Sequence, residues 1–238
     1  MRASVAARTH VGNVRTRNED AFVVGLEPLS RSMDAGLVRS FDLTTPLLLG
    51  VADGIGGHAA GDLASDTAVA ALALQSYSEH GALAKVLHAI DASLLARGDE
   101  PSTYRMGTTF CGMLLGPKPI GLVVGDGFLG VRAGRALQPF GPSWDDVASS
   151  MAISSALGGR DRSSPLLLSW REMPFILGGR YVVASDGIVR ATTHEAFASA
   201  LREGRDPTDC LDRIFALGLA GKAPDNITCI IAEVTTDS

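Results

Sequence analysis

The chain has 238 residues, of which 46% are apolar and 20% are charged, and its formal net charge is −5. This composition supplies a hydrophobic core and excludes a disordered chain. The negative charge argues against nucleic acid as the main partner, because proteins that bind it carry basic patches. No apolar run approaches the ~18 residues that span a bilayer, so we expect no membrane partner.

Hydrophobic patterning in the first 100 residues predicts strands followed by a helix pair. The predicted strands cover residues 3–10, 20–26 and 46–53. Residues 27–45 have the polar character of a surface excursion. An alanine-rich helix is expected from residue 61 to about residue 78, because alanine has the highest helix propensity. A second helix is predicted because Leu83, Leu87, Ile90 and Leu94 would fall on one helix face. We expect this helix to end near Gly98.

The rest of the chain repeats this order of strands and helices. Strands are predicted at 107–115, 120–126, 128–133, 136–139, 180–185 and 226–234, and helices at 193–203 and 208–219. Residues 141–179 form the least regular region. Strands, two helices, strands, two helices and a strand favour an α+β fold in which antiparallel sheets are covered by helix pairs. We expect one domain over residues 1–238.

Acidic residues and an arginine surround glycine turns in five short stretches, most of which follow apolar runs. These stretches are residues 15–20, 51–58, 125–127, 184–187 and 224–228. A carboxylate at the end of a buried strand is held rigidly but reaches solvent. Several of them at one point would repel each other unless cations lay between them. The pattern therefore predicts an oxygen-lined site for hard divalent metal ions.

Each stretch has a simpler interpretation when it is taken alone. Most Asp-Gly pairs mark turns, and Asp126-Gly127 is typical of a β-hairpin. Arg15 is also well placed to pair with Glu19 or Asp20 on the surface. Five such coincidences are much less probable than one, so we favour a shared site.

The order and spacing of these stretches, together with residues 106–109 and 155–158, resemble the metal-dependent type 2C serine/threonine protein phosphatases, particularly their compact bacterial members. The resemblance extends from about residue 8 to residue 234. It implies a four-layer α-β-β-α sandwich of two antiparallel sheets flanked by helix pairs. It also implies two bridging Mn²⁺ or Mg²⁺ ions in a cleft at one end of the sandwich.

The resemblance implies a role for each acid in the cluster. Asp53 would bridge both metal ions, and Asp186 and Asp225 would complete the shell of one ion. Glu19 and the carbonyl of Gly54 would serve the other ion.

Three further residues receive roles from the same resemblance. Asp20 would act mainly through metal-bound water, and Asp126 would hold a third, weaker ion. Arg15 would bind the substrate phosphate, a role suited to a planar guanidinium that meets two phosphate oxygens at once.

The chain departs from the family pattern outside the expected metal ligands. Ile55 stands where some members have a histidine that is a candidate general acid, and His58 is a poorer candidate for that role. Gly127-Phe128 replaces the usual Ser-Arg pair. Arg190 occupies a position where an acid is common. The flap, around residues 140–154, is unusually short, and we expect an open cleft.

These features together predict hydrolysis of phosphoserine and phosphothreonine in proteins by a water activated between two divalent metal ions. The substrates would be phosphorylated proteins made by a serine/threonine kinase in a signalling system. A non-catalytic phosphatase-like binding module and a hydrolase of small phosphoesters are the alternatives. Retention of Glu19, Asp53, Asp186 and Asp225 argues against the binding module, because clustered charges cost stability.

The cysteine pattern and the N-terminal segment predict where the protein resides. Cys111, Cys210 and Cys229 are widely spaced and form no metal-binding pattern, which indicates buried free thiols in a reducing compartment. No continuous hydrophobic segment of the kind found in a signal peptide precedes Arg15. We therefore expect a cytoplasmic protein, and a monomer.

Overall fold

The computed structural model describes residues 1–30, 36–55, 60–149 and 155–236, and its strands and helices follow the predicted block order. The strands are β1 (Arg2–His10), β2 (Asp20–Val24), β3 (Glu27–Ser30), β4 (Leu37–Asp42), β5 (Leu47–Asp53), β6 (Gly107–Thr108), β7 (Phe110–Leu115), β8 (Ile120–Val124), β9 (Phe128–Ala133), β10 (Ala136–Pro139), β11 (Leu157–Gly158), β12 (Ser169–Glu172), β13 (Arg180–Ala184) and β14 (Ile227–Thr235). The helices are α1 (Gly61–Leu72), α2 (His80–Arg97), α3 (Trp144–Ser149), α4 (Asp186–Ala191), α5 (His194–Glu203) and α6 (Pro207–Ala220).

Twelve of the strands form two six-stranded sheets. Sheet I has the order β10-β9-β13-β14-β1-β4, and sheet II has the order β12-β8-β7-β5-β2-β3. The short strands β6 and β11 pair with each other. Each described pair of neighbouring strands is antiparallel. Antiparallel pairing confirms the prediction made from the block order of the elements.

The two sheets pack face to face and bury side chains that alternate along each strand. Val5 and Ile230 of sheet I and Phe22, Leu49 and Met113 of sheet II belong to this central core. Their neighbours along the strands point to the outer faces, because successive side chains of a strand lie on opposite sides of the sheet.

Each outer face is covered by helices. On sheet II, Ala64 and Leu72 of α1 and Leu87 of α2 belong to the same buried cluster as Ala21 and Val23 of β2. On sheet I, α4, α5 and α6 pack over β13 and β14 in a second outer cluster. The arrangement is the predicted four-layer α-β-β-α sandwich.

The expected surface excursion at residues 27–45 is wrong in part, because it contains two edge strands. β3 borders sheet II, and β4 borders sheet I. β4 pairs only with β1 in its sheet, and most of its side chains are exposed. Such a strand lacks the apolar alternation from which strands are recognised in sequence. Residues 31–35 lie outside the described residues.

Other differences concern short elements and helix ends. The irregular region 141–179 contains α3 and the edge strand β12, and α4 was not predicted. The first helix ends at Leu72 rather than near residue 78. The buried hydroxyl of Tyr77 donates a hydrogen bond to the carbonyl of Leu72, at the end of this helix, at 3.0 Å. That bond satisfies a carbonyl left unpaired at the helix end.

The antiparallel register brings the acidic segments to one end of the sandwich. Asp20 at the start of β2 lies opposite Asp53 at the end of β5. In sheet I, Ala184 at the end of β13 lies opposite Cys229 near the start of β14. The segments that carry Asp186 and Asp225 directly continue those two strands.

The three cysteines lie in the interior of the fold. Cys111, Cys210 and Cys229 are buried and free, as expected. Among the described residues, no helix combines the length and the apolarity needed to cross a membrane.

At Gly187, α4 closely approaches the backbone that leads into β14. A Cβ atom at this position would overlap the carbonyl oxygen of Asn226. Gly187→Ala is therefore expected to lower the free energy of unfolding by about 1–3 kcal/mol, measured by urea unfolding with chelator present. Gly81→Ala, at an open position in α2, is the matched control and should raise stability by about 0.5–1 kcal/mol. Equal loss in both variants would contradict the close approach.

Candidate metal centre

The predicted acids converge at the end of the sandwich from both sheets. They are Glu19 and Asp20 before and at the start of β2, Asp53 at the end of β5, Asp126 between β8 and β9, Asp186 at the start of α4, and Asp225 before β14. Asp53 experiences the charges of Asp20, Asp186 and Asp225, and Asp186 experiences that of Asp126. The structure thus brings together the residues that the sequence analysis selected.

Asp20 is fully buried and is held by the opposite sheet. Its Oδ2 accepts hydrogen bonds from Thr228 Oγ1 at 2.6 Å and Ser185 Oγ at 2.9 Å. Its Oδ1 is buried and has no hydrogen-bond partner among the described residues. One carboxylate oxygen therefore ties the two sheets together, while the other is left for a cation or a proton.

The support for Asp20 continues through a chain of polar groups. Asn18 Nδ2 donates to Thr9 Oγ1 at 2.8 Å, and the hydroxyls of Thr9 and Thr228 are 2.7 Å apart. Because Thr228 gives its proton to Asp20, the Thr9 hydroxyl must be the donor to Thr228. Each hydrogen bond in this series therefore donates towards Asp20, whose Oδ2 is the final acceptor.

Asp53 and Gly54 are fixed through their backbone. The Asp53 carbonyl accepts from Thr108 Oγ1 and from the Thr109 N–H, both at 2.8 Å. The Gly54 N–H donates to the Glu19 carbonyl at 3.0 Å. A Cβ on Gly54 would overlap the carbonyl of Gly61 at the start of α1, so the turn after β5 requires glycine.

Asn226 positions the loop that carries Glu19. Its Oδ1 accepts from the Glu19 N–H at 2.8 Å, and its Nδ2 donates to the carbonyls of Val11 and Arg17 at 3.0 and 2.8 Å. The side chain thus joins the start of β14 to the β1–β2 loop. Asn226 lies in one of the predicted motifs, but its role is not recognisable from the sequence, because its bonding partners lie more than 200 residues away.

Two arginines contact acids of the cluster. Arg15 Nη2 lies 2.9 Å from Asp225 Oδ2. Arg190 Nη2 lies 2.7 Å from Asp186 Oδ2, while Asp186 Oδ1 is buried without a hydrogen-bond partner in the described part of the chain. Arg190 also lies 4.0 Å from Asp126 and 3.9 Å from Asp225.

Burial and mutual repulsion shift the ionisation of the acids. Loss of surrounding water raises the pKa of Asp20 to about 7, and the charges of Asp186 and Asp225 add to the effect. Burial and the charge of Asp126 raise the pKa of Asp186 to about 6, against the opposing effect of Arg190. The pKa of Asp53 is raised well above its usual range, first by desolvation and then by the Asp20 charge. The folded protein keeps these acids together at a cost.

The donor set fits hard divalent cations. The cluster offers only oxygen atoms, and the buried Oδ1 atoms of Asp20 and Asp186 lack hydrogen-bond partners within the described ranges. As the described side chains stand, no group of three acids, histidines or cysteines is close enough to hold an ion. Cation binding therefore requires the acidic side chains to move closer together.

The departures from the family pattern have different outcomes in the structure. Ile55 N–H donates to the Gly107 carbonyl at 3.0 Å, and its side chain lies close to Gly159. His58 lies outside the described residues, as do residues 150–154 of the predicted flap. The preceding flap residues form α3, and Trp144 packs against Phe128 and Phe197. Trp144 thus belongs to the buried cluster between sheet I and the helices that cover it.

A cluster of acids at one end of an antiparallel α-β-β-α sandwich is the architecture implied by the resemblance to type 2C phosphatases. No protein-family model matches the chain. The chain is 32% identical over 254 residues to the serine/threonine protein phosphatase PstP of Mycobacterium tuberculosis. The match covers 96% of this chain and 44% of PstP, so the chain spans less than half the length of that curated relative.

Solved structures extend the likeness over the whole sandwich. The crystal structure of Mycobacterium tuberculosis PstP/Ppp matches with a TM-score of 0.78 and 26% identity, covering 99% of this chain and all of that one. The catalytic domain of PstP in complex with two manganese ions matches with a TM-score of 0.75 and 26% identity, covering 98% and 100%. The chain is therefore similar over nearly its whole length to the catalytic domain of a bacterial serine/threonine protein phosphatase, and it has the fold of that domain.

The metal-free protein should lose stability as the pH rises from about 4 to about 7. Asp20 and Asp186 keep a proton in the folded state at pH values where unfolded carboxyls have lost theirs. The unfolded state then binds fewer protons, so the free energy of unfolding falls with pH, by at most about 1.4 kcal/mol per pH unit for each group.

Urea unfolding with chelator at several pH values measures this slope. Asp20→Asn removes one titrating group and should give a shallower slope than the wild type. Parallel curves for the two proteins would show that Asp20 ionises normally.

Proposed function

We propose that residues 1–238 form a catalytic domain that hydrolyses phosphoserine and phosphothreonine in proteins with two Mn²⁺ or Mg²⁺ ions. One observation supports this most strongly: Asp20 of β2 and Asp186 at the start of α4 both belong to the acid cluster, and each has a buried carboxylate oxygen without a hydrogen-bond partner in the described structure. A binding module that holds no metal ion would gain nothing from this costly arrangement. The likeness to PstP and to its manganese-bound catalytic domain agrees with it.

With two ions bound, the acids would divide into two sets. Asp53 would bridge them, Asp186 and Asp225 would hold one, and Glu19 with the Gly54 carbonyl would hold the other. When bound, such a pair lowers the pKa of the attacking water and neutralises the phosphate charge.

Asp20 would orient the reacting water rather than hold an ion directly. Its carboxylate is fixed by Thr228 and Ser185, so the free Oδ1 has one direction in which to accept a hydrogen bond. A fixed acceptor needs no reorganisation when the water attacks, which is the usual source of electrostatic catalysis.

Arg15 would bind the substrate phosphate. Its side chain is 43% exposed and its Nη2 contacts Asp225, so the guanidinium lies at the solvent-accessible rim of the cluster. Two parallel N–H groups can meet two phosphate oxygens and orient the ester for in-line attack.

The substrates would be proteins phosphorylated by a serine/threonine kinase, which makes the protein part of a signalling system. A cytoplasmic location agrees with three buried free thiols. We propose a monomer, because the site is built from one chain.

Removal of the metal ions or of the bridging acid should abolish activity. We expect a chelator to stop release of phosphate from a phosphothreonine peptide and Mn²⁺ to restore it. Asp53→Asn should lower kcat by at least about 10³-fold, since the metal pair supplies the attacking water. Asp212→Asn, on the exposed face of α6, is the control and should retain full activity.

The same assay separates the alternatives. Manganese binding without turnover of any phosphoester would favour the binding module. Turnover of small aryl phosphates with none of phosphopeptides would favour a hydrolase of small phosphoesters. Undiminished activity after metal removal would reject the metal-dependent mechanism.

Arg15→Ala should weaken phosphate binding and leave manganese affinity nearly unchanged. We expect the fall in kcat/KM to correspond to a loss of transition-state stabilisation of about 2–4 kcal/mol. Free phosphate should also inhibit the variant more weakly. Arg17→Ala is a matched control in the same loop, because Arg17 is more exposed and lies 3.8 Å from Asp62. Equal phosphate inhibition in the wild type and Arg15→Ala would reject this role.

A further inference from the structure

Arg190 joins three acids that come from three different segments of the chain. Its Nη2 lies 2.7 Å from Asp186 Oδ2 and 4.0 Å from Asp126 Oδ2, and its Nη1 lies 3.9 Å from Asp225 Oδ2. Arg190 follows Asp186 by four residues in α4, so the two side chains share one helix face. The guanidinium therefore lies within the acid cluster.

A pair at this spacing on a helix surface is by itself a weak interaction. Two observations distinguish Arg190 from such a pair. Its partner Asp186 is 6% exposed, and Asp126 is 8% exposed, so little water screens the charges. Its positive charge also lowers the pKa of both carboxyls, opposing the increase caused by burial.

The charge of Arg190 is permanent, because a guanidinium does not lose its proton in proteins. A metal ion between Asp126 and Asp186 would have to lie beside this fixed positive charge. The guanidinium would also have to give up the Asp186 Oδ2 that it now contacts. Asp186 Oδ1 remains available on the other side of the same carboxylate.

We infer that Arg190 takes the place of the third metal ion that the family resemblance assigned to Asp126, so that this protein binds two divalent ions. The inference rests on the proposed two-metal site. Arg190 supplies to Asp126 and Asp186 the positive charge that an additional ion would otherwise provide. It leaves Asp186 Oδ1 to the metal pair. Arg190 is thus a positioning residue for Asp186 and a substitute cation for Asp126.

Counting bound manganese tests the inference directly. Mn²⁺ is titrated into the full chain, and the free ion is measured by electron paramagnetic resonance up to about 1 mM, the range of weak protein sites. We expect two ions per chain for the wild type and three for Arg190→Gln, which keeps the length of the side chain but removes its charge. The third ion should bind Arg190→Gln at least about tenfold more tightly than any additional ion binds the wild type.

Three further variants separate this effect from general weakening of the fold. The double variant Arg190→Gln/Asp126→Ala should return to two ions, because the third ion needs Asp126. Arg190→Lys keeps a positive charge and should also bind two. Arg202→Ala removes an exposed arginine of α5 and should behave as the wild type. Urea unfolding of each metal-free variant verifies that it is folded.

The outcomes are distinct. Three ions on the wild type, or two on a folded Arg190→Gln, would overturn the role of Arg190. No bound manganese on the wild type would overturn both this inference and the metal site. Two ions on the wild type and three on Arg190→Gln, without any phosphatase activity, would support the role of Arg190 and reject the proposed reaction.

Discussion

Mutual repulsion among carboxylates is the constraint on which the arrangement of this end of the sandwich depends. Asp20, Asp53 and Asp186 all have raised pKa values, with burial as the main cause and the charges of neighbouring acids adding to it. Acids in such surroundings would separate if their backbones were mobile. The protein prevents this by anchoring the backbone of Asp53 to Thr108 and Thr109 and one oxygen of Asp20 to hydroxyls.

The antiparallel sandwich makes these anchors possible. Each sheet delivers strand ends to the same edge, and the acids stand in the short segments that follow or precede those ends. Because Asp20 belongs to sheet II and its partners Ser185 and Thr228 to sheet I, the site also joins the two layers. The packing of the sheets and the geometry of the acids are therefore mutually dependent.

The sequence predicted most of this arrangement, for identifiable reasons. Buried strands were visible as apolar runs, and the glycine-flanked acids marked their ends. The edge strand β4 was not predicted, because its exposed residues resemble a loop. The roles of Asn226 and Arg190 were not predicted either, since each depends on contacts between segments that are distant in sequence. The assigned roles of the acids themselves remain proposals.

The order in which the chain supplies the cross-sheet bond has a consequence for biosynthesis. Asp20 is made early, whereas Thr228, which donates to it, lies in β14, inserted between β13 and β1 in the middle of sheet I. Until β14 has left the ribosome, a nascent chain would carry an incomplete sheet I, and Asp20 would lack this donor. The acids could then assemble only after synthesis has passed Thr228, which would delay metal loading until the sandwich can close.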